Sequence, residues 1–147
     1  MIRKMDMSDV AYVFDLEKKT FGKSLEKPML TNEILYNDMA HYFILIESGK
    51  RLAYAGMWIT KPNGEIINIA VEKPYRQKGY GSQLMHKMIA HAKEMGVDQL
   101  TLEVSEKKEA TIQFYQSFGF YIETKRKNYY ADGTDAYLMI KPIGGKA

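Results

Sequence analysis

The sequence predicts an α/β fold, in which helices cover a mixed α+β sheet. Segments with the pattern of strands are interspersed with segments whose apolar residues recur with helical period. Their order is strand, helices, three strands, helix, strand, helix and two strands. The 147 residues include 46% hydrophobic ones, which suffices for the packed core of a single domain covering residues 1–147.

The first half of the chain predicts one strand, two helices and three further strands. "MIRKM" is a short strand, and Asp6 or Ser8 can cap the helix that follows it. "KPMLTNEILYNDM" is a second, shorter helix. "HYFILIE" and "RLAYAGMWIT" are strands joined through residues 48–50, a hairpin signal. "KPNG" is a turn by its chemistry, and "EIINIAV" is the next strand.

The second half predicts two helices separated by a strand, and then a closing pair of strands. The helix after Gly81 has one apolar stripe and ends at Gly96, a natural C-cap. "QLTLEV" is the strand and "KEATIQFYQSFG" the second helix. The closing strands are "FYIETKRKNYY" and "DAYLMIKP".

Composition excludes several classes of function. The net charge of +3 is too small to indicate nucleic-acid binding, although it suits an anionic ligand at one local site. The chain has no cysteine, which excludes disulfides, thiolate metal sites and a cysteine nucleophile. His41, His86 and His91 lack the spacing of metal ligands, so no metal site is expected. Without a leader-like start or a membrane-spanning run, the default expectation is a soluble cytoplasmic protein that binds no membrane.

The stretch between Val71 and the following helix is shaped for an anion. Gly79 and Gly81 remove side chains that would keep a ligand from the backbone amides at the helix start, and Arg76 and Lys78 add positive charge. Phosphate, in particular a pyrophosphate, fits such a loop. The alternative is an ordinary strand-to-helix turn. The P-loop pattern and the dinucleotide fingerprint both fail here, since Ser82 follows Gly81 and position 84 is leucine.

The pattern R-x-x-G-x-G at 76–81, after "NIAVEKPY", resembles the acetyl-CoA loop of the GNAT N-acetyltransferases. "LEV", "FYQSFGF" and the tail "RKNYY…DAYLM" make the RimI-type ribosomal-protein alanine N-acetyltransferases the most similar subfamily. The resemblance covers the second half of the chain well and the first half in general layout. It implies a mostly antiparallel sheet that is splayed at the acetyl-CoA site, with helices on both faces. The residues it assigns to acetyl-CoA are Ile69, Ala70, Val71, Arg76, Gln77, Lys78, Gly79, Tyr80, Gly81, Ser82 and Lys108.

Two residues are candidates for proton transfer. In "QLTLEV", Thr101 and Glu103 share the face opposite to the apolar residues, so Glu103 either serves the chemistry or simply reaches solvent or a lysine. The resemblance implies that Glu103 is a general base acting through water. Tyr115, taken alone, has the pattern of a core aromatic in an amphipathic helix. The resemblance implies instead that it protonates the leaving sulfur of the coenzyme.

The acceptor is the part of the function for which the sequence departs from the family pattern. Lys108 stands where relatives carry an asparagine. The resemblance implies that the segment containing Phe21 helps to shape the acceptor site, with Phe21 as a contact, but this segment lacks the Phe-Pro-Trp of relatives. Tyr129 and Tyr130 resemble an aromatic pair that contacts the acceptor, whereas Lys125–Lys127 is interpreted as a solvated basic face.

The resemblance implies direct acetyl transfer to a primary amine, without a metal or a covalent enzyme intermediate. The leading acceptor is a protein N-terminus, of the ribosomal-protein alanine type. The alternatives are a GNAT enzyme for a small-molecule amine or a lysine side chain, and a non-catalytic CoA-binding regulatory domain. A monomer or a homodimer is expected.

Overall fold

In the computed structural model, which describes residues 1–144, seven strands form one mixed sheet in the order β1-β2-β3-β4-β5-β7-β6. The strands are β1 Ile2–Lys4, β2 Ala40–Glu47, β3 Lys50–Thr60, β4 Asn63–Val71, β5 Gln99–Ser105, β6 Tyr121–Arg126 and β7 Ala136–Pro142. The helices are α1 Val10–Phe21, α2 Lys27–Thr31, α3 Tyr80–Glu94 and α4 Glu109–Ser117, and α2 continues into a π-helical turn, Asn32–Tyr36. The predicted order of elements and the fold class are confirmed.

The sheet divides between β4 and β5. These strands form the parallel pair, and their pairing is confined to residues 63–65 and 99–101. All other neighbouring strands of the described chain run antiparallel. A bulge at Ile67 breaks the register of β4 with β3, because Gly56 faces Asn68 while Met57 faces Ile66. Beyond Glu65, β4 and β5 no longer pair, so the predicted splay of the sheet is present.

Helices cover the two faces unequally. One core, under α3 and α4, takes residues from both halves of the sheet, including Phe43, Leu102 and Met139. The other core, under α1 and α2, contains no residue after Ala70. The α1/α2 face of the sheet is therefore closed over β1–β4 and has no such core over β5–β7.

The helix starts follow local chemistry. Asp6 caps the first helical turn by accepting a hydrogen bond from the Ser8 N–H at 2.9 Å. In turn, the Asp6 N–H donates a hydrogen bond to the Asp9 carboxylate. Helix α3 begins at Tyr80, two residues earlier than predicted, so Gly81 lies inside its first turn. No helix among residues 1–144 is long and apolar enough to cross a membrane.

Candidate active site

The glycine-bearing loop leads from β4 into α3. Gln77 and Gly79 have positive φ angles of 62° and 88°, and a side chain at Gly79 would meet no atom within 4 Å. Gly79 is therefore required by its backbone conformation and not by crowding. The Arg76 Nε donates a hydrogen bond of 2.8 Å to the Val71 carbonyl, which ties the loop to the end of β4.

The start of α3 offers free backbone donors. No side chain caps it, and its first backbone bond runs from the Gln83 N–H to the Gly79 carbonyl at 3.0 Å. The N–H groups of Tyr80, Gly81 and Ser82 thus have no acceptor inside the helix. A Cβ at Gly81 would lie 3.6 Å from Phe114 Cζ and 3.8 Å from Val71 Cγ2, so this turn sits against both α4 and β4. Such a terminus suits the pyrophosphate of a coenzyme.

The open edge of β4 lies beside this loop. From Ile66 to Val71 the strand pairs with β3 on one side, and β5 has left it on the other. A strand edge with free N–H and C=O groups can accept an extended, amide-bearing chain as though it were another strand. The predicted contact residues Ile69, Ala70 and Val71 all belong to this edge. The edge and the helix start together fit the amide arm and the pyrophosphate of coenzyme A.

Glu103 is held by two partners on the α1/α2 face of β5. Its Oε1 accepts a hydrogen bond of 2.5 Å from the Tyr129 hydroxyl, and its Oε2 lies 2.5 Å from Arg126 Nε. The side chain is 19% exposed, so water reaches it. The hydrogen bond to Glu103 raises the pKa of Tyr129 to about 12. The carboxylate thus neither stands free in solvent nor pairs with a lysine.

A second carboxylate, Glu65, belongs to the same face. Glu65 pairs with Thr101 in the parallel register, and paired residues project to the same side of a sheet, the side that also carries Glu103. Burial, and secondly the charge of Glu103, raise the pKa of Glu65, while Arg126 opposes the shift. The sequence does not mark Glu65 as a candidate residue. The only available signal was its position one residue before the apolar run of β4.

Tyr115 lies on the other side of the sheet, in the core under α3 and α4. It is 9% exposed and packs edge-to-face against Phe114 and Phe120, with ring centroids 5.4 and 5.6 Å away. Burial raises the pKa of its phenol to about 12. Tyr115 belongs to the core under α3 and α4, whereas Glu103 projects to the opposite face of the sheet, and among the described residues no hydrogen bond joins them.

The remaining predicted residues border these features. Lys108 is the N-cap residue of α4, where its backbone carbonyl accepts from the Ile112 N–H at 2.9 Å and its side chain is exposed. Phe21 ends α1 and is 38% exposed. Tyr129 and Tyr130 pack edge-to-face at 5.0 Å in the connection between β6 and β7.

The basic run Lys125–Lys127 is exposed, as predicted for a solvated face, and two of its members also contact carboxylates. Arg126 contacts Glu103, and the Lys125 ammonium lies 3.4 Å from Glu106 and 3.7 Å from Asp135.

On the α1/α2 face, a buried carboxylate that the sequence does not mark as a candidate links α1 to β3, to β4 and to the α1–α2 connection. Glu17 on α1 is 7% exposed and accepts hydrogen bonds from the Tyr54 hydroxyl, from Ser24 Oγ at 2.6 Å and from Asn68 Nδ2 at 3.3 Å. Burial, and secondly the charge of Glu17, raise the pKa of Tyr54. Glu17 lies four residues after Val13 and seven after Val10, so helical spacing puts it on the buried stripe of α1, although a charged residue is usually expected to face solvent.

The split sheet, the open edge of β4 and the capless start of α3 are features that suit a protein that binds an acyl-coenzyme A. The family model of the acetyltransferase (GNAT) family matches residues 10–120. The chain belongs to this family and is an acetyl-CoA-dependent N-acetyltransferase.

Relatives of known name support this assignment. The [ribosomal protein bS18]-alanine N-acetyltransferase of Escherichia coli K12 is 33% identical over 136 residues, which are 90% of this chain and 84% of the relative. A Bacillus subtilis strain 168 protein, provisionally given the same name, is 32% identical over 139 residues, covering 94% and 92% of the two chains. The crystal structure of the Escherichia coli enzyme matches with a TM-score of 0.90 and 28% identity, over 100% of this chain and 96% of that one.

Proposed function

We propose that this enzyme acetylates the α-amino group of a protein N-terminus, with N-terminal alanine of a ribosomal protein as the leading acceptor. The observation that carries the proposal is the hydrogen bond of 2.5 Å between Glu103 and Tyr129. It joins the candidate base to the aromatic pair that resembles an acceptor-binding element of N-terminal acetyltransferases. The names of the two bacterial relatives support the same acceptor. Such an acceptor implies a cytoplasmic enzyme.

Two different parts of the chain would bind the pyrophosphate and the amide arm of acetyl-CoA, which supplies the activated acetyl thioester. The N–H groups of Gly81 and Ser82 at the start of α3 would bind the pyrophosphate, assisted by the exposed Lys78. The edge of β4 from Ile69 to Val71 would pair with the amide arm. A backbone N–H at the end of this edge, that of Val71, would stabilise the negative charge that develops on the carbonyl oxygen.

Glu103 would remove a proton from the acceptor amine through a water molecule. A free α-amino group has a pKa of about 7.7–8.0, so near neutral pH only modest assistance is needed. Glu103 is partly exposed, which leaves room for that water. The open α1/α2 face over β5–β7 is the side from which an acceptor chain would reach it.

Tyr115 would return a proton to the departing sulfur. Its buried phenol has a pKa near 12, which keeps it protonated at neutral pH and available as a donor. Its packing against Phe114, whose ring lies close to Gly81 in the coenzyme loop, supports this role. Base and acid on opposite faces allow a direct transfer between two substrates bound at the same time.

Thiol release from acetyl-CoA tests the function directly. The acceptor panel consists of peptides that begin with alanine, serine or methionine, a peptide with a blocked N-terminus and one lysine, and polyamines. We expect release with the free N-termini, alanine foremost. Release only with polyamines or with the blocked peptide would assign the enzyme to the small-amine or lysine class. Acetyl-CoA binding without release on the whole panel would favour the non-catalytic alternative.

Two variants test the assigned roles. Glu103→Gln and Tyr115→Phe should each lower kcat by about 10²–10⁴-fold, the usual contribution of a general base or acid. Glu123→Gln and Tyr121→Phe make the same chemical changes at exposed positions of β6 and should retain wild-type rates. Unchanged turnover in Glu103→Gln would overturn the role of Glu103, and unchanged turnover in Tyr115→Phe that of Tyr115.

A further inference from the structure

We propose that Arg126 is a positioning residue for Glu103, whose carboxylate it holds in place on the acceptor face beside the second carboxylate, Glu65. This inference rests on the proposed function, because it takes Glu103 as the base.

The contact geometry is specific. Arg126 Nε lies 2.5 Å from Glu103 Oε2, while the Tyr129 hydroxyl holds Oε1 at 2.5 Å. Both oxygens of the carboxylate therefore have a partner, one from β6 and the other from the β6–β7 connection. The residue of β7 across from Glu103 is Leu138, which offers no polar partner. The orientation of Glu103 thus depends on the segment from Arg126 to Tyr129.

Electrostatics give Arg126 a second task. The groups that face Glu103 are Glu65 from β4, Arg126 from β6, and the phenols Tyr129 and Tyr130 from the β6–β7 connection. The charge of Glu103 already raises the pKa of Glu65, and Arg126 counteracts that shift. If the guanidinium were absent, the two carboxylates would repel each other and tend to share a proton, as closely spaced acids do. A protonated Glu103 would not act as a base.

The neighbouring cation cannot take over this role. The Lys125 ammonium lies 3.4 Å from Glu106 and 3.7 Å from Asp135, and Lys125 pairs with Tyr137, the partner of Val104, so it projects to the face opposite to Glu103.

The experiment measures kcat/KM against pH for the wild type and Arg126→Gln with an alanine-initial peptide. Removing the cation should move the acidic limb of the profile to higher pH, because the repulsion between the two carboxylates is then no longer offset. The loss of kcat/KM should therefore be larger at the acidic end of the profile than at about pH 8.5. Arg126→Lys keeps the positive charge and should reverse part of this shift. Lys127→Gln, which removes an equal charge at an exposed position one residue away, should leave the profile unchanged.

A double variant isolates the interaction between the carboxylates. Adding Glu65→Gln to Arg126→Gln removes the like charge, so the acidic limb should move back toward its wild-type position. A purely structural role for Arg126 would lower the rate equally at every pH and would show no such reversal, and that result would overturn the proposal. The thermal midpoint and the acetyl-CoA affinity of each variant serve as folding controls, since Arg126 lies outside the coenzyme loop.

Glu103→Gln, measured in the same series, separates this proposal from the proposed function. If Glu103→Gln is impaired and Arg126→Gln keeps the wild-type profile, the positioning role is wrong and the base remains. If Glu103→Gln is unimpaired, the assignment of the base is wrong and the role of Arg126 fails with it.

Discussion

Glu17 has no cationic partner among residues 1–144, although it is 7% exposed. It is stabilised by three neutral donors, on Ser24, Tyr54 and Asn68. In Glu17→Gln an NH2 group, which donates, replaces one carboxylate oxygen, which accepts from a neighbouring donor. The neighbouring donor then lacks an acceptor, and a buried polar group left unpaired costs about 1–3 kcal/mol of stability. We therefore expect Glu17→Gln to lower the free energy of unfolding by about this amount.

The same change should raise the KM for peptide, because Ser24 belongs to the connection between α1 and α2 that borders the acceptor face. Denaturant unfolding and peptide kinetics check both effects, and Glu94→Gln, at the end of α3, provides an exposed control away from the acceptor face. An unchanged KM together with the loss of stability would limit Glu17 to a structural role.

The alternation of the sequence predicts the face of Glu103 but not that of its partner Arg126, and the reason lies in β6. Alternation along β5 puts Glu103 opposite the apolar core, as predicted. In β6, a bulge at Glu123 shifts the register, because Ile122 faces Met139 while Thr124 faces Leu138. The bulge brings Thr124 and Arg126 to the face of Glu103, where uninterrupted alternation would have put Glu123 and Lys125. No residue in "FYIETKRK" is typical of a bulge, so the sequence could not predict that Arg126 lies on the face of Glu103.

At the scale of elements, α3 depends on a left-handed residue at its first boundary. Gly79 has φ +88° with open space around it, so Gly79→Ala introduces backbone strain of about 1–2 kcal/mol and no steric clash. The same holds at Gly96, just past the other end of α3, with φ +83°. The two variants should lose similar stability. Only Gly79→Ala should also weaken acetyl-CoA binding, because it disturbs the amides of Gly81 and Ser82.

Calorimetric titration with acetyl-CoA, together with thermal unfolding, checks this pair of variants. Equal affinities in Gly79→Ala and Gly96→Ala would mean that the start of α3 does not bind the coenzyme. The helix itself was predictable from its apolar stripe. Its first residue was not, because a glycine in the left-handed conformation can begin a helix as well as end one.

At the scale of the whole molecule, the two halves of the sheet touch through few backbone pairs. Beyond residues 63–65 and 99–101 the strands β4 and β5 run apart, and the core under α3 and α4 bridges them. The splay follows from the bulge at Ile67 and the end of pairing after Glu65, long-range features that a strand pattern does not contain. For this chain the splay was foreseen through its resemblance to a family, not from alternation.

A ligand that lies in the gap would complete the sheet. Acetyl-CoA at 100 times its Kd should stabilise the fold by about 2.7 kcal/mol, by mass action on the folded state. Hydrogen exchange should slow at those amides of residues 66–71 that face the gap and at the first turn of α3, whereas amides of the β2–β3 hairpin should be unaffected. Pyrophosphate alone should protect the start of α3 and leave the β4 edge exchanging as before, because it lacks the amide arm. Stabilisation by acetyl-CoA without added protection along residues 66–71 would contradict strand-like binding and would require another path for the coenzyme across the protein.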